Sequence, residues 1–92
     1  MFLEIVSPEA TLFSGEVTSV ILPGTDGEFQ ILENHAAIVS TLVTGSIRIE
    51  GVDVAIEEAF QDKFVQVGGK YVLDVNSGTI EMKDNKIIVL AD

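Results

Sequence analysis

The chain contains no cysteine and no tryptophan, one histidine, two prolines, and five basic residues against fifteen acidic ones. Without cysteine there is no disulfide, no thiol nucleophile and no thiolate metal ligand, which fits a reducing compartment. The lone histidine, His35, is a weak basis for a transition-metal site, because such sites gather several nitrogen or sulfur ligands. The scarcity of bases leaves a formal net charge of −10 at pH 7, which repels phosphate backbones and anionic lipid head groups and makes nucleic acid an unsuitable partner. Aromatics are only 7% of the residues and there is no dense D-x-D grouping. The main alternative for this composition, a free-standing acidic β-sandwich that binds a ligand, therefore lacks a stacking platform or a calcium cluster. The longest unbroken apolar run, Ile87 to Ala91, falls far short of the ~20 residues that cross a bilayer. The amino terminus has no basic n-region and carries Glu4 where a signal peptide needs apolar residues, so a cytoplasmic location is expected.

Ninety-two residues, 47% of them hydrophobic, suffice for one domain over residues 1–92 with a single core. Short apolar or alternating segments recur between turn signals spaced ~8 to 12 residues apart, which predicts an all-β fold. The expected architecture is an antiparallel β-sandwich or flattened barrel of about 8 to 10 short strands. Leu3 to Val6 predicts the first strand, ended by Ser7-Pro8-Glu9; Thr11 to Phe13 and Val17 to Leu22 follow, with Gly15 marking a bulge or corner between them. Pro23-Gly24 and Asp26-Gly27 predict two reversals or bulges close together, since proline presets φ and glycine accepts positive φ. Glu28 to Leu32 alternates as a half-buried strand; Ala36 to Val43 fits a buried strand or a short helix, stopped by Gly45.

Ile47 and Ile49 have the opposite parity to Val52, Val54 and Ile56, which places a turn or bulge at Glu50-Gly51. From Val54 to Phe64 a strand, loop, strand pattern is favoured, although Ile56, Ala59, Phe60 and Phe64 also keep helical spacing. Val65 and Val67, the Gly68-Gly69 turn, and Tyr71, Leu73 and Val75 predict a hairpin. Turns at Asn76-Ser77-Gly78 and Asp84-Asn85 then suggest that the last three strands form a meander.

Catalytic parts are missing from this pattern. No serine lies in a G-x-S-x-G or S-x-x-K motif, and the adjacent carboxylates Glu57-Glu58 point to opposite faces of a strand. Gly24 and Gly27 match neither phosphate-binding glycine signature. The residues therefore predict a non-enzyme without a cofactor, whose most distinctive stretch is the turn-rich run from Leu22 to Gly45 around His35.

Leu3 to Glu9, Leu12 to Val17, Leu22-Pro23-Gly24, Gly27-Glu28-Phe29, Ile31-Leu32, Asn34-His35-Ala36, Gly45, Ile47-Arg48-Ile49, Gly78 to Met82 and Val89 to Asp92 form an ordered set. On that set the chain resembles the N-terminal β-sandwich domain of F-type ATP synthase epsilon subunits. The resemblance implies a non-catalytic part of the rotor's central stalk, clamped against the gamma subunit and resting on the polar loops of the c-ring. It would meet the catalytic head only indirectly and be peripheral, through the complex, to the cytoplasmic side of the inner (plasma) membrane. In this family proton flow turns the stalk, and rotation drives ATP synthesis in other subunits. The resemblance also implies that Glu28, with Asp26 in the same turn, docks on the ring loops, and that His35 braces that end or touches gamma. Gly15, Pro23, Gly24, Gly27 and Gly45 would set the turn geometry around them.

Several positions depart from the family pattern. Ala37 stands where proline is usual, Gln30 replaces a common glycine, and the stretch from Glu50 to Asn76 is longer than the usual connection, suggesting an extra or extended hairpin. Family members commonly continue into a pair of C-terminal helices after the segment matching Val89 to Asp92, where this sequence stops. The 92-residue chain is thus expected neither to bind ATP nor to depress hydrolysis through an inserted helix, as an ATPase assay on a stalk-bearing catalytic head would register.

Overall fold

The computed structural model describes every residue from Met1 to Asp92. Its ten strands are β1 (Phe2–Val6), β2 (Thr11–Glu16), β3 (Ser19–Gly24), β4 (Gly27–Leu32), β5 (Ile38–Leu42), β6 (Gly45–Glu50), β7 (Phe64–Val67), β8 (Lys70–Val75), β9 (Gly78–Lys83) and β10 (Lys86–Ala91), with a 3-10 helix at Glu58–Lys63. The strands make one sheet that curls into two five-stranded halves. One half runs β2-β1-β10-β9-β5 and the other β4-β3-β6-β8-β7; they join where Gly24 of β3 pairs with Leu42 of β5. The all-β sandwich or flattened barrel expected from the sequence is present.

The halves face each other because period-2 alternation gives each strand one apolar side. Leu3 and Ile5, Val20 and Leu22, Ile47 and Ile49, Ile80 and Met82, and Ile87 and Val89 all point inward and are essentially inaccessible. They belong to one continuous cluster of 20 buried apolar residues drawn from both halves.

Pro23 marks the join. β3 pairs with β6 from Ser19 to Ile21 and then leaves it for β5. Proline has no N–H to continue a ladder, so the change of partner falls where the donor is missing, while the Pro23 carbonyl accepts the Val43 N–H at 2.9 Å. A Cβ on Gly45 would lie 2.7 Å from the Pro23 Cβ, and one on Gly24 would lie 2.9 Å from the Phe29 ring. Pro23, Gly24 and Gly45 are therefore strand residues at a tightly packed corner rather than turn residues. The chain reverses once here, through Thr25-Asp26, with Gly27 at φ 111°. Gly45 opens β6 instead of stopping the preceding strand, and Ala36 to Val43 resolves as strand β5.

Four other expectations change. The bulge lies at Leu12, where the register with β1 slips between Ile5 and Val6, and not at Gly15, which pairs with Leu3 beneath the Phe13 ring. The slip explains why the consecutive Leu12 and Phe13 are both buried. β1 and β10 pair in parallel, because no hairpin links them and nothing local fixes their relative direction. The final three strands are not a meander: β9 and β10 form a hairpin, but β8 lies in the other half beside β6 and β7.

Last, Gly51 to Glu57 forms no strand. It leads into the 3-10 helix, and Val54, Ile56 and Phe60 pack onto the core from this irregular crossing, while Val52 is exposed. The predicted β7–β8 hairpin does form, with Gly68 and Gly69 both at positive φ as its two-residue turn requires.

Gly78 is the tightest glycine, since an added Cβ would collide with the Leu90 carbonyl oxygen of the neighbouring strand. Gly78→Ala is expected to cost about 1–3 kcal/mol, read as a lower denaturation midpoint at unchanged slope.

Candidate functional site

The curl sorts the connections into two ends. At one end lie the β3–β4 turn, the β5–β6 link and the β8–β9 link, because Gly24 pairs with Leu42, Leu42 with Gly78, and Gly45 with Val75. Side chains stitch these links together. Thr44 Oγ1 donates to the Asn76 carbonyl at 2.9 Å, and Ser77 Oγ donates to Asp92 Oδ2 at 2.5 Å. The opposite end carries Met1, the loop from Glu33 to Ala37 and the Asp84-Asn85 turn.

Asp26 and Glu28 sit together at the first end. Asp26 is exposed at the tip of the turn and enters no ion pair. Glu28 is the second residue of β4, opposite Pro23, and it is held by Arg48, which lies on β6 opposite Ile21. The pair therefore reaches diagonally over β3 on the outer face. Arg48 Nη1 donates to Glu28 Oε2 at 2.8 Å and Nη2 to Oε1 at 3.0 Å, a two-pronged contact. Hydrogen bonding from Arg48 holds the Glu28 carboxyl below its ordinary pKa, and the carboxylate raises that of the guanidinium.

His35 is not at this end. Its backbone N–H donates to the Leu32 carbonyl at 3.1 Å, which keeps it beyond the far end of β4. Four strand rises separate Glu28 from Leu32, about 13 Å, so His35 does not brace the end that carries Glu28. The ring is exposed, with Nδ1 2.7 Å from the adjoining Ala36 carbonyl.

The loop around His35 is nonetheless well anchored. The ammonium group of the buried Met1 donates to both Glu33 oxygens, at 2.9 and 2.8 Å, and to the Val17 carbonyl at 3.2 Å. Glu16 contributes a second carboxylate at 3.3 Å. Asn85 Nδ2 donates to Glu33 Oε1 at 2.7 Å while its Oδ1 accepts the Asn34 N–H at 2.9 Å. This cluster joins residues distant in sequence, and neither it nor the Glu28–Arg48 contact shows in periodicity. The only signal for Arg48 is its place in Ile47-Arg48-Ile49, as the polar residue between two inward-facing ones.

No group of three or more histidine or acidic side chains is arranged to hold a metal ion. The largest cleft, about 580 Å³, is bordered by Leu12, Phe60, Lys63, Leu73 and Asp74 and includes neither Glu28 nor His35.

The family described as ATP synthase, Delta/Epsilon chain, beta-sandwich domain matches residues 1–92, the whole chain. The chain belongs to the ATP synthase epsilon-chain family. It is 38% identical over 90 residues to the ATP synthase epsilon chain of Campylobacter fetus subsp. fetus, covering 98% of this chain and 59% of that one. It is 39% identical to the epsilon chain of Chlorobium limicola, covering 98% of this chain and 86% of the relative. The chain thus spans less than two thirds of the Campylobacter relative and most of the Chlorobium one.

The epsilon-family fold is shared with solved structures. One is the Tetrahymena thermophila mitochondrial ATP synthase central stalk/c-ring, with a TM-score of 0.72 at 13% identity over 99% of this chain and 62% of that chain. Another is the Euglena gracilis mitochondrial ATP synthase OSCP/F1/c-ring structure, with a TM-score of 0.74 at 18% identity over 97% of this chain and 48% of that chain.

Asn85 and the Met1 ammonium lower the Glu33 pKa, and Glu33 raises that of the ammonium. A lowered acid stabilises the fold above its ordinary pKa and loses that contribution as pH falls through the lowered value. A raised amine stabilises below its ordinary pKa and loses the contribution as pH rises through the raised value. Glu33→Gln is expected to weaken both limbs of the stability profile, measured as urea midpoints from about pH 3 to pH 10.

Proposed function

We propose that this chain is a non-catalytic central-stalk subunit of a proton-translocating F-type ATP synthase, joining the gamma subunit to the c-ring and coupling proton flow to ATP synthesis. The observation that carries the reading is the family match over all 92 residues. The fold suits the role. A part that transmits torque must be stiff, and 44 of the 52 backbone hydrogen bonds lie within strands and helix, around one close-packed core. The chain offers no catalytic constellation; its contribution is mechanical, and the chemistry belongs to other subunits. In this reading it sits at the cytoplasmic side of the membrane, peripheral, held there by the complex.

The end that carries Asp26 and Glu28 docks on the polar loops of the ring. Carboxylates accept hydrogen bonds and attract cations, so a ring loop that presents donors is complementary to them. His35, at the opposite end, belongs to contact with gamma rather than with the ring.

Two measurements test the reading. Purified gamma is expected to retain this chain in a pull-down; no retention overturns the stalk assignment. Glu28→Lys is expected to lower ATP-driven proton pumping in a reconstituted enzyme while thermal melting of the free subunit changes little, because exposed ion pairs contribute little to folding. Normal pumping with this substitution would remove Glu28 from the docking end.

A further inference from the structure

Arg48 is the only arginine in the chain and the only one of its five basic side chains in an ion pair. Twelve of the fifteen acids have no ion-pair partner; Glu16 and Glu33 share the terminal ammonium, and Glu28 alone receives the arginine. Lys63, Lys70, Lys83 and Lys86 enter no ion pair. The fold thus places its one planar, two-pronged cation on the acid that the proposed function puts at the ring.

We propose that Arg48 is a positioning residue for docking: it fixes the Glu28 carboxylate so that its remaining acceptor sites face a hydrogen-bond donor on the partner. The inference rests on the docking role proposed above for Glu28 and adds the residue that makes it effective. A carboxylate has about four acceptor sites on its two oxygens. Arg48 uses one on each oxygen, at 2.8 and 3.0 Å, and the rigid guanidinium fork sets the plane of the carboxylate. Half of the Glu28 side chain remains exposed, at 51%, against 33% for Arg48, so the unused sites open outward.

Both residues are fixed by strand register, Glu28 opposite Pro23 and Arg48 opposite Ile21, beside the corner where the sheet changes partner. A glutamate beside a free turn would lose rotamer freedom on docking; here that entropy is lost on folding. Because the pair is close to neutral, the group that meets it is selected by hydrogen bonding, and the matching chemistry is a guanidinium, amide or backbone N–H on a polar loop.

The test titrates purified c-ring with the assembled gamma-containing stalk and records thermal melting of each variant. Glu28→Gln and Arg48→Gln are each expected to weaken ring binding about tenfold, the scale of one charge-assisted hydrogen bond. The double variant should be no weaker than either single one, since both remove the same element. The exchange Glu28→Arg with Arg48→Glu restores an ion pair and should melt like the unaltered chain without recovering ring binding, because the outward group is then a donor.

Recovery of ring binding by the exchange, or losses that add in the double variant, overturns the inference. Normal binding by Arg48→Gln beside weakened binding by Glu28→Gln overturns it while leaving the docking role of Glu28 intact. Normal binding by both removes that role as well. If Arg48→Gln melts too early to titrate, the exchange variant decides the question alone.

Discussion

β3 cannot stay hydrogen-bonded to β6 past Ile21, because the next residue whose backbone turns to that edge is Pro23, which has no N–H to give. From that missing donor the rest of the architecture follows. β3 passes to β5 at Gly24, the sheet curls, and two five-stranded halves close over a single core. Gly45 leaves room for the Pro23 ring and Gly24 leaves room for Phe29, so the corner is set by close approach at two positions as well as by proline. A flat ten-stranded sheet would expose one side of Val20, Leu22, Ile47 and Ile49 to water; the curl buries all four.

The same corner decides what lies at each end. It draws the β3–β4 turn, the β5–β6 link and the β8–β9 link together, and it presents Asp26 and Glu28 on a stiff base. It also sends β4 away from that base, so the loop with His35 ends up at the opposite end, tied through Glu33 and Asn34 to Asn85 and Met1. Residues only seven apart along the chain are thereby assigned to different neighbourhoods. Sequence proximity had grouped Glu28 with His35, and an extended strand between them undoes the grouping.

Local signals were sufficient wherever a local rule determines the geometry. Alternation located β1, β4, β6 and the β7–β8 and β9–β10 hairpins, and Gly68-Gly69 and Asp84-Asn85 occupy the positive-φ turns that such dipeptides favour. They failed where partner choice is long-range. Asn76-Ser77-Gly78 announces a turn but not that β9 will join the other half, and nothing in Ile87 to Leu90 indicates a parallel neighbour at the amino terminus. The apolar spacing from Val54 to Phe64 favours strand, loop, strand while also keeping helical spacing; in the fold Val54 and Ile56 pack from an irregular crossing and Phe60 from the 3-10 helix. Of the candidate site, Glu28 and Asp26 were visible as turn acids, whereas Arg48 stands twenty residues from Glu28 and meets it only through the register of three strands.

The sequence by itself determined that this is an acidic all-β chain without thiols, a member of the epsilon family whose apolar residues demand one core, because composition, alternation and ordered motifs are properties of the chain alone. Tertiary structure alone decided which strands became neighbours, that Glu28 would be held by Arg48, and that His35 would face away from both. Those outcomes depend on closing a curled sheet, where the burial of one strand's apolar face is settled by residues far along the chain.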